Sequence, residues 1–120
     1  MKKFMKSLGC AFSGVRYALT TERNMRVHLS VFMLVLIAGY ILEISKFEFL
    51  LIFAVSALTF SLELTNTAIE RLADRISPEY DEEIGVVKDV MAGAVLVSSI
   101  FSIVIGVVIF LQPLLLFIQR

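Results

Sequence analysis

Phe49-Leu50-Leu51-Ile52-Phe53-Ala54-Val55-Ser56-Ala57-Leu58-Thr59-Phe60-Ser61-Leu62 runs without a break into Glu63-Leu64-Thr65-Asn66-Thr67-Ala68-Ile69-Glu70, and this stretch decides the fold. Its first part is almost wholly apolar, as a membrane-spanning helix requires. Its second part sets two carboxylates and an amide where that helix leaves the membrane. At 100° per residue Glu63, Asn66, Glu70 and Asp74 share one helix face. Ionisable groups at membrane depth are costly and by default mark a functional site or pathway. A single such acid can also be a packing residue or half of a buried ion pair. A stripe of four points to a site.

The rest of the 120-residue chain agrees with a membrane protein. Hydrophobic residues make up 58% of it, and a mean hydropathy of +0.89 is too apolar for a water-soluble domain of this length. Spanning the hydrocarbon takes about 20 apolar residues, which predicts a single all-α domain over 1–120. Its parts are a surface helix over 1–21 and three spans over 24–43, 49–76 and 88–118. Net charge is zero, but the cations are unevenly placed. Lys2, Lys3, Lys6, Arg16, Arg23 and Arg26 precede the first span, and Arg71, Arg75 and Lys88 lie between the second and third. Only Lys46 and Arg120 fall on the other side. The positive-inside bias therefore places the N-terminus and the 71–89 segment in the cytoplasm.

Local signals fill in the connections. Phe4, Leu8, Ala11, Phe12, Val15, Ala18 and Leu19 recur at steps of three and four between lysines and Arg16. That spacing predicts an amphipathic helix in the membrane interface. Thr20 or Thr21 is expected to cap the helix that becomes the first span. The short 43–48 connection makes the first two spans antiparallel neighbours, so Glu63, Asn66 and Glu70 return to the face that carries Glu22. Ser77-Pro78 stops the second span. Residues 79–83 read as a hydrophilic loop, with Asp81, Glu82 and Glu83 as solvated acids. Lys88-Asp89 opens the third span, where Ala92, Gly93 and Ala94 permit close helix contact. The one cysteine, Cys10, excludes an internal disulfide. It also lacks the apolar segment that a cleaved signal places before a lipidated cysteine.

Collected by topology, Glu22, Glu63, Asn66, Glu70, Asp74, Lys88 and Asp89 fall in one layer. Clustered carboxylates suit a hard cation such as Mg²⁺, and Mg²⁺ in turn suggests phosphates. In phosphoryl transfer one carboxylate takes the proton of the attacking hydroxyl, and Glu63, the deepest acid, is placed for that role. His28 reads as a structural hydrogen-bonding residue, and Tyr80 fits an interface anchor as well as a ligand contact. The nucleotide motifs of soluble kinases are missing from the sequence. A transporter or channel would need a polar face continuing through 49–57, where only Ser56 is polar. A non-catalytic assembly subunit would have no need of this acidic layer.

Glu63-x-x-Asn66-x-x-x-Glu70, followed by Asp74, Glu79-Tyr80 and Lys88-Asp89, resembles the signature of the small bacterial integral-membrane lipid kinases, a family containing diacylglycerol kinase and undecaprenol kinase. Gly14-Val15-Arg16 and Glu22-Arg23-Asn24-Met25-Arg26-Val27-His28 also match its N-terminal pattern, so the resemblance spans nearly the whole chain. It implies a homotrimer with active sites shared between neighbouring protomers. It further implies Glu63 as general base, and Glu22 and Glu70 as holders of Mg²⁺ with the ATP phosphates. Asn66, Glu79, Tyr80, Lys88 and Asp89 match nucleotide-binding positions. Lys3, Cys10 and Asp81 fall at further ATP positions, where family members can carry arginine, tyrosine and histidine. Arg16 and Ala92 join Glu63 at the lipid. The implied partners are ATP, a membrane lipid alcohol and the lipid bilayer, with no nucleic acid. The implied location is the bacterial plasma (inner) membrane, multi-pass, with the active site facing the cytoplasm. The 22–28 wording resembles the Gram-positive branch, which favours undecaprenol over diacylglycerol as substrate.

Overall fold

The computed structural model describes residues 1–119, so the expectation for Arg120 lies outside the described residues. Four helices make up the described chain: α1 over Lys2–Thr21, α2 over Arg23–Ile41, α3 over Lys46–Ile76 and α4 over Glu82–Ile118. The last three are long and apolar enough to cross a membrane. At 1.5 Å per residue the 31 residues of α3 reach about 46 Å, well beyond a hydrocarbon core of about 30 Å. Both α3 and α4 therefore carry side chains past the bilayer surface on continuous helix.

The amphipathic α1 leaves Phe4 and Phe12 exposed and buries only Ala18 among its residues. An apolar face without a protein partner is what a helix seated in the membrane interface presents. Its C-terminal end is fastened. Arg26 donates to the carbonyls of Leu19 and Thr20 at 3.1 and 3.0 Å, satisfying the last turn of α1 and its dipole together. The Tyr17 ring also lies 4.9 Å from the Arg71 guanidinium of α3. The expected threonine cap is not formed. Thr20 and Thr21 remain inside α1 with their hydroxyls donated to the carbonyls of Arg16 and Tyr17, and extended Glu22 is the joint between α1 and α2. Hydroxyls that bond back to the preceding turn no longer serve the next helix.

At the opposite end, α2 closes through a left-handed residue. Glu43 has φ of 54°, while Glu43 N–H donates to Tyr40 and Ile44 N–H to Gly39, the paired closure of a Schellman turn. Ser45 then caps α3 reciprocally: Glu48 N–H donates to Ser45 Oγ at 3.2 Å, and Ser45 N–H to Glu48 Oε2 at 2.7 Å. The turn packs so tightly that a Cβ at Gly39 would sit 2.8 Å from Ile44 and 3.0 Å from Phe49. Ile44, Ile52 and Ile109 form the buried core beneath it, with Leu36 and Phe49 against them.

Farther along, Phe32 meets Phe53 and Phe60 edge-on at 5.5 and 5.7 Å, joining α2 to α3. Thr59 hydrogen-bonds Ser98 at 2.8 Å and Ser102 at 3.3 Å, joining α3 to α4 in the membrane interior. The α3 helix stops at Ile76 before Ser77-Pro78. The 79–83 loop is shorter than its polarity predicts, because Asp81 caps α4 by accepting from Ile84 N–H at 3.0 Å and Glu82 and Glu83 form the first turn. Two acids there suit the positive end of the helix dipole, so α4 begins at Glu82, well before Lys88.

Candidate active site

The polar stripe of α3 turns inward. Glu63 is only 2% exposed, and Asn66 and Thr67 are buried with it. Helical spacing brings the Asn66 amide to Glu70 Oε1 at 3.3 Å, and Thr67 donates to the Glu63 carbonyl at 3.0 Å. Two buried oxygens accept no hydrogen bond, Glu63 Oε2 and Asn66 Oδ1. A buried acceptor without a partner costs about 1–3 kcal/mol, and two on neighbouring turns of one face call for a partner such as a water, an ion or a ligand.

These oxygens belong to a cavity of about 380 Å³ lined by Glu63, Asn66 and Glu70 from α3 and by Ala92 from α4. Asn24, Val27 and His28 of α2 complete its wall with Val95, Leu96 and Ser99 of α4. Asn24 lies beside the Glu63 carboxyl, and His28, Glu70 and Glu22 are the ionisable groups within electrostatic reach of it. Lys88 forms an ion pair with Asp74 at 2.8 Å that ties α4 to α3 above the cavity, with Glu70 in electrostatic reach of the ammonium.

The structure thus brings together Glu63, Asn66, Glu70 and Ala92, with Glu22 near them at the α1–α2 joint and Lys88 near them through Asp74. It does not bring the other positions to this cavity. Lys3, Cys10 and Arg16 lie exposed along α1, Glu79, Tyr80 and Asp81 lie exposed before and at the start of α4, and Asp89 faces outward on α4. Asp81 also works as a helix cap. Among the described residues no three His, Cys, Asp or Glu side chains come together to hold a metal ion. The open set is all oxygen, which fits a hard cation that keeps water and phosphate oxygens as its other ligands. Asn24 and His28, one turn apart on α2, are wall residues that sequence reasoning did not place here. Two polar side chains four apart in an apolar helix were the available signal.

A second cavity of about 590 Å³ runs down between α2 and α4 across α3. Its wall is mainly apolar, with Val31, Val35, Ile52, Val107 and Leu111, and it reaches from His28 to Leu114. Val27, His28 and Ser99 line both spaces, so the polar chamber and the apolar groove meet at one threshold.

Three helices long and apolar enough to span, an amphipathic helix and a buried acid in a cavity that adjoins an apolar groove define a multi-pass membrane protein. The chain belongs to the prokaryotic diacylglycerol kinase family, whose sequence model matches residues 9–110. It is 40% identical over 114 residues to an undecaprenol kinase of Bacillus subtilis, covering 95% of this chain and 93% of the relative. It is 36% identical over 106 residues to a diacylglycerol kinase of Synechocystis, covering 88% of this chain and 61% of the relative. A diacylglycerol kinase of Escherichia coli is 28% identical over 102 residues, covering 85% and 84%. The family and these relatives are lipid kinases, which carries the chain out of the transporter and assembly-subunit classes.

Proposed function

We propose that the chain transfers the γ-phosphoryl group of ATP to the hydroxyl of a membrane lipid alcohol, undecaprenol in preference to diacylglycerol. The observation that carries this reading is the unpartnered Glu63 Oε2, buried in a polar chamber that opens into an apolar groove. A base needs a free lone pair, and a lipid alcohol needs its head beside that base and its tail in an apolar channel. Glu63 Oε2 takes the hydroxyl proton as the alcohol oxygen bonds to the γ-phosphorus, and the bond from phosphorus to the departing ADP oxygen breaks. Asn66 and Glu70 on the next turn orient the nucleotide side of the chamber. Glu70 and Glu22 would hold Mg²⁺, which when bound neutralises phosphate charge.

The outlying positions fit an assembled site. Lys3, Cys10, Glu79, Tyr80, Asp81 and Asp89 reach ATP beside the nearer Lys88, and Arg16 reaches lipid, where neighbouring protomers of a homotrimer complete one another's chambers. The exposed apolar faces of α2, α3 and α4 supply surface for such packing as well as for lipid. The cation distribution supports an orientation with the site and N-terminus in the cytoplasm. Preference for undecaprenol rests on the Bacillus relative, which matches more of this chain at higher identity than the two diacylglycerol kinases.

The test is the purified protein with Mg-ATP, assayed side by side on undecaprenol and diacylglycerol in mixed micelles. Faster phosphorylation of undecaprenol is expected. Faster phosphorylation of diacylglycerol overturns the substrate, and turnover of neither alcohol overturns the reaction.

A further inference from the structure

We infer that His28 is the residue that orients the lipid alcohol: its ring N–H donates to the hydroxyl oxygen of the substrate and turns the hydroxyl hydrogen towards Glu63. The inference rests on the lipid-kinase reading and adds to it a specific holder for the reacting oxygen.

His28 is the chain's one histidine and stands at the threshold where the polar chamber meets the apolar groove. A lipid with its tail in the groove and its head in the chamber must place its first polar atom at that threshold. Few groups there can donate a hydrogen bond. Val27 has no polar side-chain atom, and the Ser99 hydroxyl is committed to the Val95 carbonyl at 2.9 Å. Deeper in the groove, Thr59 and Ser102 are taken up with Ser98 and backbone carbonyls, and Ser56, the remaining hydroxyl of that wall, stands two helical turns, about 10 Å, before Glu63 and so away from the threshold. Asn24 borders the chamber but not the groove. The imidazole is half-buried and within electrostatic reach of the Glu63 carboxyl. It therefore joins the two requirements of the site, a donor at the mouth of the groove and a group beside the base.

The valences of an alcohol oxygen match this placement. It carries one hydrogen and two lone pairs. The hydrogen goes to Glu63 Oε2, one lone pair accepts from the His28 ring, and the other faces the γ-phosphorus. With two contacts fixed, rotation about the C–O bond no longer scatters the attacking lone pair, which is how orientation lowers a barrier.

The experiment compares His28→Leu, which fills similar space without a donor, with His28→Gln, which restores an N–H. Thermal unfolding confirms that each is folded, and His28→Ala replaces the leucine variant if that one is not. KM for undecaprenol in mixed micelles, KM for Mg-ATP and kcat are measured for each. Loss of one hydrogen bond is expected to raise the lipid KM, or lower kcat at saturating lipid, by about tenfold. The KM for Mg-ATP should stay within about twofold, and His28→Gln should recover most of the loss. Unchanged lipid kinetics in the donor-free variant, an equal rise in both KM values, or no recovery with glutamine overturns the assignment. Glu63→Gln separates the two readings. If it stays active the base assignment fails, whereas an inactive Glu63→Gln beside a His28→Leu of normal kinetics removes only the role of His28.

Discussion

The two halves of α3 are built on opposite principles. At the end near Ser45 the polar groups are paired in a reciprocal cap, the turn is locked by a Schellman closure, and Gly39 lets Ile44 and Phe49 approach to contact. In the half that begins near Glu63, one carboxylate oxygen of Glu63 and the amide oxygen of Asn66 are buried without partners. Satisfied polar groups and dense packing are what stability selects. Unsatisfied ones persist where a ligand, ion or water completes them, so the first half holds the chain together and the second is where the proposed chemistry falls.

The contrast breaks first at Glu63. Glu63→Gln keeps the volume and removes the proposed base, so kcat should fall by about 10²- to 10⁴-fold while thermal unfolding is unchanged. A variant that loses activity only in proportion to lost folded protein would make this end structural as well. Gly39→Leu tests the opposite end. Overpacking against Ile44 and Phe49 should cost about 1–3 kcal/mol in a denaturant titration, with kcat per folded molecule unaltered. A fall in kcat at constant stability would show that the ends are coupled.

Two smaller changes sharpen the contrast. Glu43 occupies a left-handed conformation that glycine adopts without penalty, so Glu43→Gly should stabilise the protein by about 1 kcal/mol in the same titration. A loss of stability would mean that the glutamate side chain outweighs its backbone strain. Thr59→Val removes the hydroxyl that meets Ser98 and should cost about 0.6 kcal/mol, the usual size of such bonds between membrane helices. A cost several times larger would move part of the structural burden from the outer turn to the middle of the α3–α4 contact.

Much of this was legible in the residues themselves. The apolar run from Phe49 and the polar stripe after it identified α3, and Ser77-Pro78 marked its end. The 3.6-residue period placed Glu63, Asn66 and Glu70 on one face, as the cavity they line requires. Boundaries that depend on capping were less legible. Asp81, Glu82 and Glu83 look like loop by polarity, yet a capping carboxylate and a favourable dipole draw them into α4. Thr20 and Thr21 have the chemistry of an N-cap but bond backwards, a choice made by the Glu22 joint and the Arg26 bridge. His28 was legible only as a polar residue near a membrane face. Its position between two cavities depends on how α2 leans across α3 and α4, which no pattern within α2 encodes.

The Asp74–Lys88 pair has a consequence for timing. It fastens two stiff rods to each other one turn beyond Glu70, so in the proposed reaction nucleotide and lipid would meet a frame that is already assembled. A solution contact exposed to salt is also easy to exchange, and in the proposed reaction an arriving polyphosphate would borrow the ammonium from Asp74 and hand it back on departure. On the proposed reading, the latch gives the polar side of the site a way to open by trading partners.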